Sequence, residues 1–299
     1  MAFNWQTFKT RALTAIVFAG VMLLGLLWNH WSFLLLFSII HFGCWWEYLK
    51  LADKIHLTPG GTGIHPYIKL GLMVFGYGLM LGFCSPAYHF NGYGIKENIS
   101  LPVFAAGFVL WLIGIFQKNP VPLKWFAMAA IGLVYLSLCW GLMISLYNGS
   151  DLHLHDTNII TTGNFIPIII IVSIWINDTM AYIIGSLIGK TPFSKISPKK
   201  TWEGTMGGII LCVVVMAFLY PRIFYSTGDT AVAITVGSIA LIAAVFGTAG
   251  DLLESKLKRM AGVKDSGALM PGHGGFMDRF DSLLLATPFV WIYVQLVMR

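Results

Sequence analysis

The chain has 299 residues, of which 57% are hydrophobic and only 11% charged, whereas an ordinary soluble domain carries roughly 25% charged residues. That balance excludes a soluble two-domain protein of this length and places the chain in the membrane class. The formal net charge is +6, but no basic soluble domain is present to hold nucleic acid, so nucleic acid is not an expected partner.

In chain order, apolar runs recur that are each long enough to cross a hydrocarbon core of roughly 30 Å as a helix. They predict spans over 11–28, 31–51, 66–84, 101–116, 123–147, 165–188, 205–220, 230–250 and 282–298. The expected fold is therefore all-α, a polytopic integral membrane protein of about nine transmembrane helices. Lys9 and Arg11 precede the first run as in a signal peptide, but no small-residue cleavage pattern follows, and the run reads as a retained helix. With the amino terminus cytoplasmic, sixteen of the nineteen Lys and Arg residues fall on the inner side and only Lys96, Arg222 and Arg299 on the outer side. The basic excess thus faces one membrane surface, where anionic lipid heads or anionic substrates are attracted.

The region 1–150 is mostly Leu, Phe, Met, Trp and Gly. It reads as anchoring, lipid-facing helices, with Trp28, Trp31, Trp45 and Trp46 near span ends as an interfacial belt. Cys44, Cys84, Cys139 and Cys212 lack metal-ligand spacing and read as small buried hydrophobes. The "DLHLHD" stretch at 151–156 has metal-binding residue types but reads as a solvated outer loop. The glycosylation-like triplets at Asn98, Asn148 and Asn177 are weak patterns, the third lying inside a span.

The polarity is concentrated in 151–299, the expected catalytic region with cytoplasmic loops. Asp178, in "WINDTMAYIIGSLIGK", lies inside the sixth span, and an ionisable group at that depth requires a cavity or a partner. Tyr182 follows one turn later on the same face. Next, "GKTPFSKISPKKTWEGTMGG" supplies Lys190, Lys195, Lys199 and Lys200 with Ser197, Thr201, Glu203 and small residues. The lysines satisfy the inside rule by themselves, but the whole composition suits phosphate oxygens.

The eighth span ends in "GDLLESKLKR". As a helix it places Asp251, Glu254, Ser255 and Lys258 on one stripe, which either forms a salt-bridged solvated end or presents carboxylates to a ligand. In "PGHGGFMDRFDS" the glycines, Gly274 and Gly275 among them, allow close backbone approach. Asp278 and Asp281 then sit one turn apart at a helix start, where a carboxylate is also favoured simply as a cap. Asp178, Asp251, Asp278 and Asp281 on one membrane side, among many cations, are what a Mg²⁺ nucleotide site requires.

The stretch 255–281, "SKLKRMAGVKDSGALMPGHGGFMDRFD", closely resembles the signature of the phosphatidate cytidylyltransferases. The matching positions are Ser255, Lys258, Arg259, Lys264, Asp265, Gly267, Pro271, His273, Gly274, Gly275, Asp278, Arg279 and Asp281. Met270 departs from the usual Leu, Ile or Phe, a harmless apolar exchange. The likeness reaches upstream to Asn177, while the amino-terminal half matches only in hydropathy.

The resemblance implies a nine-helix, often dimeric enzyme that joins CTP to phosphatidate, giving CDP-diacylglycerol and pyrophosphate. It also implies Mg²⁺ and a second, monovalent cation such as K⁺. On that reading Asp251 and Asp278 are the expected metal pair, with Asp281 and Glu254 completing or orienting the shell. Lys258, Arg259, Lys264 and Arg279 grip the triphosphate and the lipid head group, and Lys199 and Lys200 join from the neighbouring loop. Ser197, Glu203, Ser255, Gly274 and Gly275 belong to the substrate surface. His273 either donates to a phosphate oxygen or fixes the glycine turn, and Asp178 either holds the second cation or orients a lysine. The expected location is the bacterial inner membrane with the site at the cytoplasmic face. The rival readings are a CTP-dependent polyprenol kinase and a cation-coupled transporter, the latter disfavoured because the first five spans offer few polar residues to line a path.

Overall fold

The structure is a computed structural model that describes residues 5–56, 63–117, 123–147, 163–225, 230–267 and 274–298, the side chains of 5–12, 15, 224 and 225 excepted. It is built almost wholly of helices: α1 (Trp5–Leu27), α2 (His30–His56), α3 (Pro66–Leu81), α4 (Ser100–Ile115), α5 (Leu123–Gly132), α6 (Cys139–Tyr147), α7 (Phe165–Ile188), α8 (Trp202–Val214), α9 (Tyr220–Tyr225), α10 (Thr230–Met260) and α11 (Met277–Val297). Among the described residues the named strands are two short ones, β1 (His89–Phe90) and β2 (Tyr93–Gly94), paired antiparallel. Their turn is Asn91-Gly92, both residues at positive φ, as a tight hairpin demands.

Among the described residues, seven helices are long and apolar enough to cross a membrane: His30–His56, Ile95–Ile115, Leu123–Tyr147, Phe165–Ile188, Trp202–Ile223, Thr230–Met260 and Met277–Val297. The shorter apolar helices Ile16–Leu27 and Pro66–Leu81 overlap the remaining two expected runs. The all-α, polytopic membrane architecture expected from composition is thus the one the chain has. Three of the long helices contain a π-helical turn, at Ile95–Ile99, Leu133–Leu138 and Val215–Leu219. The helix over the eighth apolar run continues past residue 250 to Met260, so the polar segment after it is helical as its spacing predicts.

The chain divides into two compact units. The first comprises 1–148 and 257–280, the second 149–256 and 281–299. In the first, α2 carries much of the core: Phe33, Phe37, Trp45 and Tyr48 are buried with Leu136, Trp140 and Met143. The π turn after α5 directs Ser137 at α2, where its Oγ accepts from Trp45 Nε1 at 2.8 Å and lies 3.0 Å from His41 Nε2. Helices α3 and α4 pack through glycine: a side chain at Gly71 or Gly78 would fall on the backbone of Trp111 or Phe104. Small residues at such contacts let membrane helices gain dispersion contact where apolar burial gives no net drive.

In the second unit α7 and α8 pair by the same means. A Cβ on Gly208 would lie 2.8 Å from the Ala181 methyl, and one on Gly204 would lie 2.7 Å from the Ala181 carbonyl oxygen. Gly250 similarly brings α10 against α11 at the Asp281 carbonyl. That contact sets which acidic side chains meet.

Candidate active site

The site residues of the second unit begin with a cap. Thr201 is the N-cap of α8, its Oγ1 accepting from the Gly204 N–H at 3.2 Å. Glu203 turns back, and its carboxylate accepts from the N–H groups of Lys190 and Thr191 at 3.2 Å. Between these anchors the chain folds on itself. The Phe193 N–H donates to the Lys200 carbonyl at 2.7 Å, the Trp202 N–H donates to the Thr191 carbonyl at 3.0 Å, and the rings of Phe193 and Trp202 meet at 4.5 Å. The lysine-rich loop is therefore a braced turn.

This turn presents Lys199 and Lys200 to a cavity of about 500 Å³ that Asp178, Tyr182, Ser186, Thr205 and Asp251 also line. Lys200 forms an ion pair with Asp251. Asn177 Nδ2 donates to Asp178 Oδ1 and to Thr248 Oγ1, each at 3.4 Å, holding the Asp178 region to α10. Asp178 and Tyr182 share the cavity-facing side of α7, as their spacing predicts.

Beside the cavity lies a carboxylate group: Asp251, Glu254 and Asp281 each offer an oxygen within 4.8 Å of the others. Glu254 is fully buried. Ser255 Oγ donates to Asp251 Oδ1 at 3.2 Å, and the Ser282 N–H donates to Asp281 Oδ1 at 2.6 Å. Three hard oxygen donors on two helices at this separation fit a small divalent cation.

In the first unit the signature segment forms a second polar cluster. Lys258 Nζ donates to Asp278 Oδ1 at 2.6 Å. Asp278 Oδ2 accepts from the Gly275 N–H at 2.8 Å and from both the N–H and the hydroxyl of Ser266 at 3.0 Å. Gly274 adopts φ of 82°, a conformation open to glycine. Arg259 donates to the Val263 carbonyl at 3.3 Å, while Lys264 and Arg279 are exposed. His273 and the 151–156 loop lie outside the described residues.

Asp278 and Asp281 stand one turn apart on α11 but take different partners. Asp281 groups with Asp251 and Glu254, and Asp278 with Lys258, Ser266 and Gly275. The expected pair was Asp251 with Asp278; the acidic group that the structure assembles holds Asp251, Glu254 and Asp281.

Sequence reasoning passed over Glu47. It lies on α2 with only 3% of its surface exposed. Its carboxylate accepts from Ser266 Oγ at 2.7 Å and from the N–H groups of Phe276 and Met277 at 2.9 Å each. The signal was available, because the rule that singles out Asp178 as an acid inside an apolar run applies equally to Glu47 in 31–51.

With this geometry in view, the comparisons with known proteins are specific. The profile of the cytidylyltransferase family matches residues 9–297. The chain belongs to that family. This cytidylyltransferase-family chain is 30% identical to the phosphatidate cytidylyltransferase of Bacillus subtilis (strain 168) across 97% of each chain. It is 40% identical to the phosphatidate cytidylyltransferase of Synechocystis over 46% of its own length and 45% of that protein's. It is also 30% identical to the chloroplastic phosphatidate cytidylyltransferase 4 of Arabidopsis thaliana, over 68% and 54% respectively. The alignments thus span about half the length of the Synechocystis and Arabidopsis relatives and nearly all of the Bacillus one.

Proposed function

We propose that the chain is a phosphatidate cytidylyltransferase of phospholipid biosynthesis, joining CTP to phosphatidate to give CDP-diacylglycerol and pyrophosphate. The observation that carries this reading is the identity to the Bacillus protein along nearly the whole of both chains. The cavity where Lys199 and Lys200 meet a carboxylate group supports it.

A phosphatidate oxygen attacks the α-phosphorus of CTP, a new P–O bond forms, and the bond from that phosphorus to the bridging oxygen breaks as pyrophosphate leaves. The attacking phosphate is already anionic at neutral pH, so no side chain is needed to remove a proton. The protein's task is positioning and charge neutralisation. Lys199 and Lys200 bind phosphate oxygens from the braced turn, and Lys258, Arg259, Lys264 and Arg279 supply further cationic contacts. Asp278 holds Lys258 in place through their ion pair.

Asp251, Glu254 and Asp281 are the residues that would hold Mg²⁺, and a bound ion would supply charge neutralisation at phosphate oxygens. Asp178, which lines the same cavity as Asp251, is the side chain that would hold a second, monovalent cation such as K⁺. The same reading includes a cytoplasmic-face site in a bacterial inner membrane and a homodimer.

The experiment is to supply purified protein with phosphatidate, Mg²⁺ and CTP labelled either in the base or at the γ-phosphate. Base label in the lipid product, with pyrophosphate released, is the expected result. Label transferred from the γ-position alone identifies a lipid kinase and overturns the proposal, as does an absence of any labelled lipid.

A further inference from the structure

Glu47 belongs to the amino-terminal half, far in sequence from the polar segments, yet its carboxylate is spent entirely on one of them. A buried carboxylate is retained only where donors replace its water. Here those donors are the N–H of Phe276, the N–H of Met277 and the hydroxyl of Ser266. Met277 is the first residue of α11, so Glu47 caps that helix from another helix, where the unpaired N–H groups and the helix dipole both favour an anion.

The contacts also bracket one stretch of chain. Ser266 and Gly267 precede residues 268–273, and Gly275, Phe276 and Met277 follow them. A side chain at Gly267 or Gly275 would fall on the Glu47 carboxyl group. Gly43, one turn before Glu47, leaves room for the Phe276 ring on the same face of α2. The Ser266 hydroxyl that meets Glu47 also meets Asp278, whose other oxygen takes Lys258. Two acids, one from α2 and one from α11, therefore share the Ser266 hydroxyl and hold the backbone of Gly275, Phe276 and Met277.

We propose that Glu47 is a positioning residue for the transferase: it ties both flanks of 268–273 to the first turn of α11 and thereby sets the placement of Asp278 and Lys258. This inference rests on the transferase reading above. It assigns the amino-terminal half a part in the reaction that anchoring alone would not need.

The test compares wild type, Glu47→Gln, Asp278→Asn and the double variant, purified in one detergent, by kcat, KM for CTP and thermal midpoint. Glu47→Gln keeps the shape but leaves one acceptor oxygen for three donors. It is expected to lower kcat about tenfold or more while the midpoint moves by no more than about 4 °C. The double variant is expected to be no slower than Asp278→Asn alone, because both changes act through the shared Ser266 contact. If Glu47→Gln unfolds, Ser266→Ala removes only the shared hydroxyl and takes its place in the cycle. Amide exchange at Phe276 and Met277 supplies a readout independent of activity and is expected to quicken in the Glu47 variant. Full kcat in Glu47→Gln, losses that multiply in the double variant, or a fully active Asp278→Asn overturns the role while leaving the transferase reading intact. A wild type that forms no cytidine-bearing lipid overturns both.

Discussion

Lys200 and Asp251 illustrate how single residues carry the proposed chemistry. Asp251 is shared between the ion pair with Lys200 and the acidic group with Glu254 and Asp281, so its replacement disturbs both. Asp251→Asn is expected to reduce CDP-lipid formation about 100-fold and to raise the Mg²⁺ concentration needed for half-maximal rate. Lys200→Met removes only the cationic partner, and its expected signature is a KM for CTP raised about tenfold with a smaller change in kcat. Titrating Mg²⁺ and CTP separately for the two variants distinguishes these outcomes. Acids and lysines of this kind were legible because a charge in an apolar chain stands out. Their pairings were not, since each depends on which helices touch. Glu47 shows the limit plainly: its donors lie 219, 229 and 230 residues away, and no local pattern announces them.

At the scale of elements, α7 and α8 approach through glycine, and their separation places Asp178 opposite the braced lysine turn. Gly208→Leu would push its side chain into Ala181 and the Asn177 carbonyl. The expected cost is about 1–3 kcal/mol, read as a lowered thermal midpoint in detergent, together with weakened nucleotide binding as the cavity is distorted. Helix positions followed directly from the apolar runs, because a segment in lipid must satisfy its own backbone hydrogen bonds. Ends were harder. The helix α10 continues to Met260 although apolar residues stop earlier, since its polar last turns bond within and beyond the helix through Ser255 and Lys258. The hairpin at 89–94 escaped a search tuned to hydropathy, although Asn91-Gly92 between aromatic residues is a direct turn signal.

For the whole molecule, the distribution of basic residues predicts sidedness that labelling can check. The native cysteines are all buried, so cysteines introduced at Gly163 and Lys195, at opposite ends of α7, can be probed against a low background. Lys195→Cys is expected to react only from the cytoplasmic side and Gly163→Cys only from the outside; the reverse pattern would refute the orientation. The π turns in three of the long helices carry a consequence of a different kind. A π turn holds an additional residue within one turn, so it shifts the rotational phase of everything that follows. Deleting one residue from 133–138 would restore regular winding and leave the remainder of that helix in nearly the same phase, whereas regular winding with all six residues kept would rotate it by about 100°. Without the π turn and with all its residues kept, the face bearing Trp140 and Met143 would turn from the core towards lipid. Length in these helices is therefore a matter of angular register as well as reach, and the π turns are where one residue more or less turns the rest of the helix least.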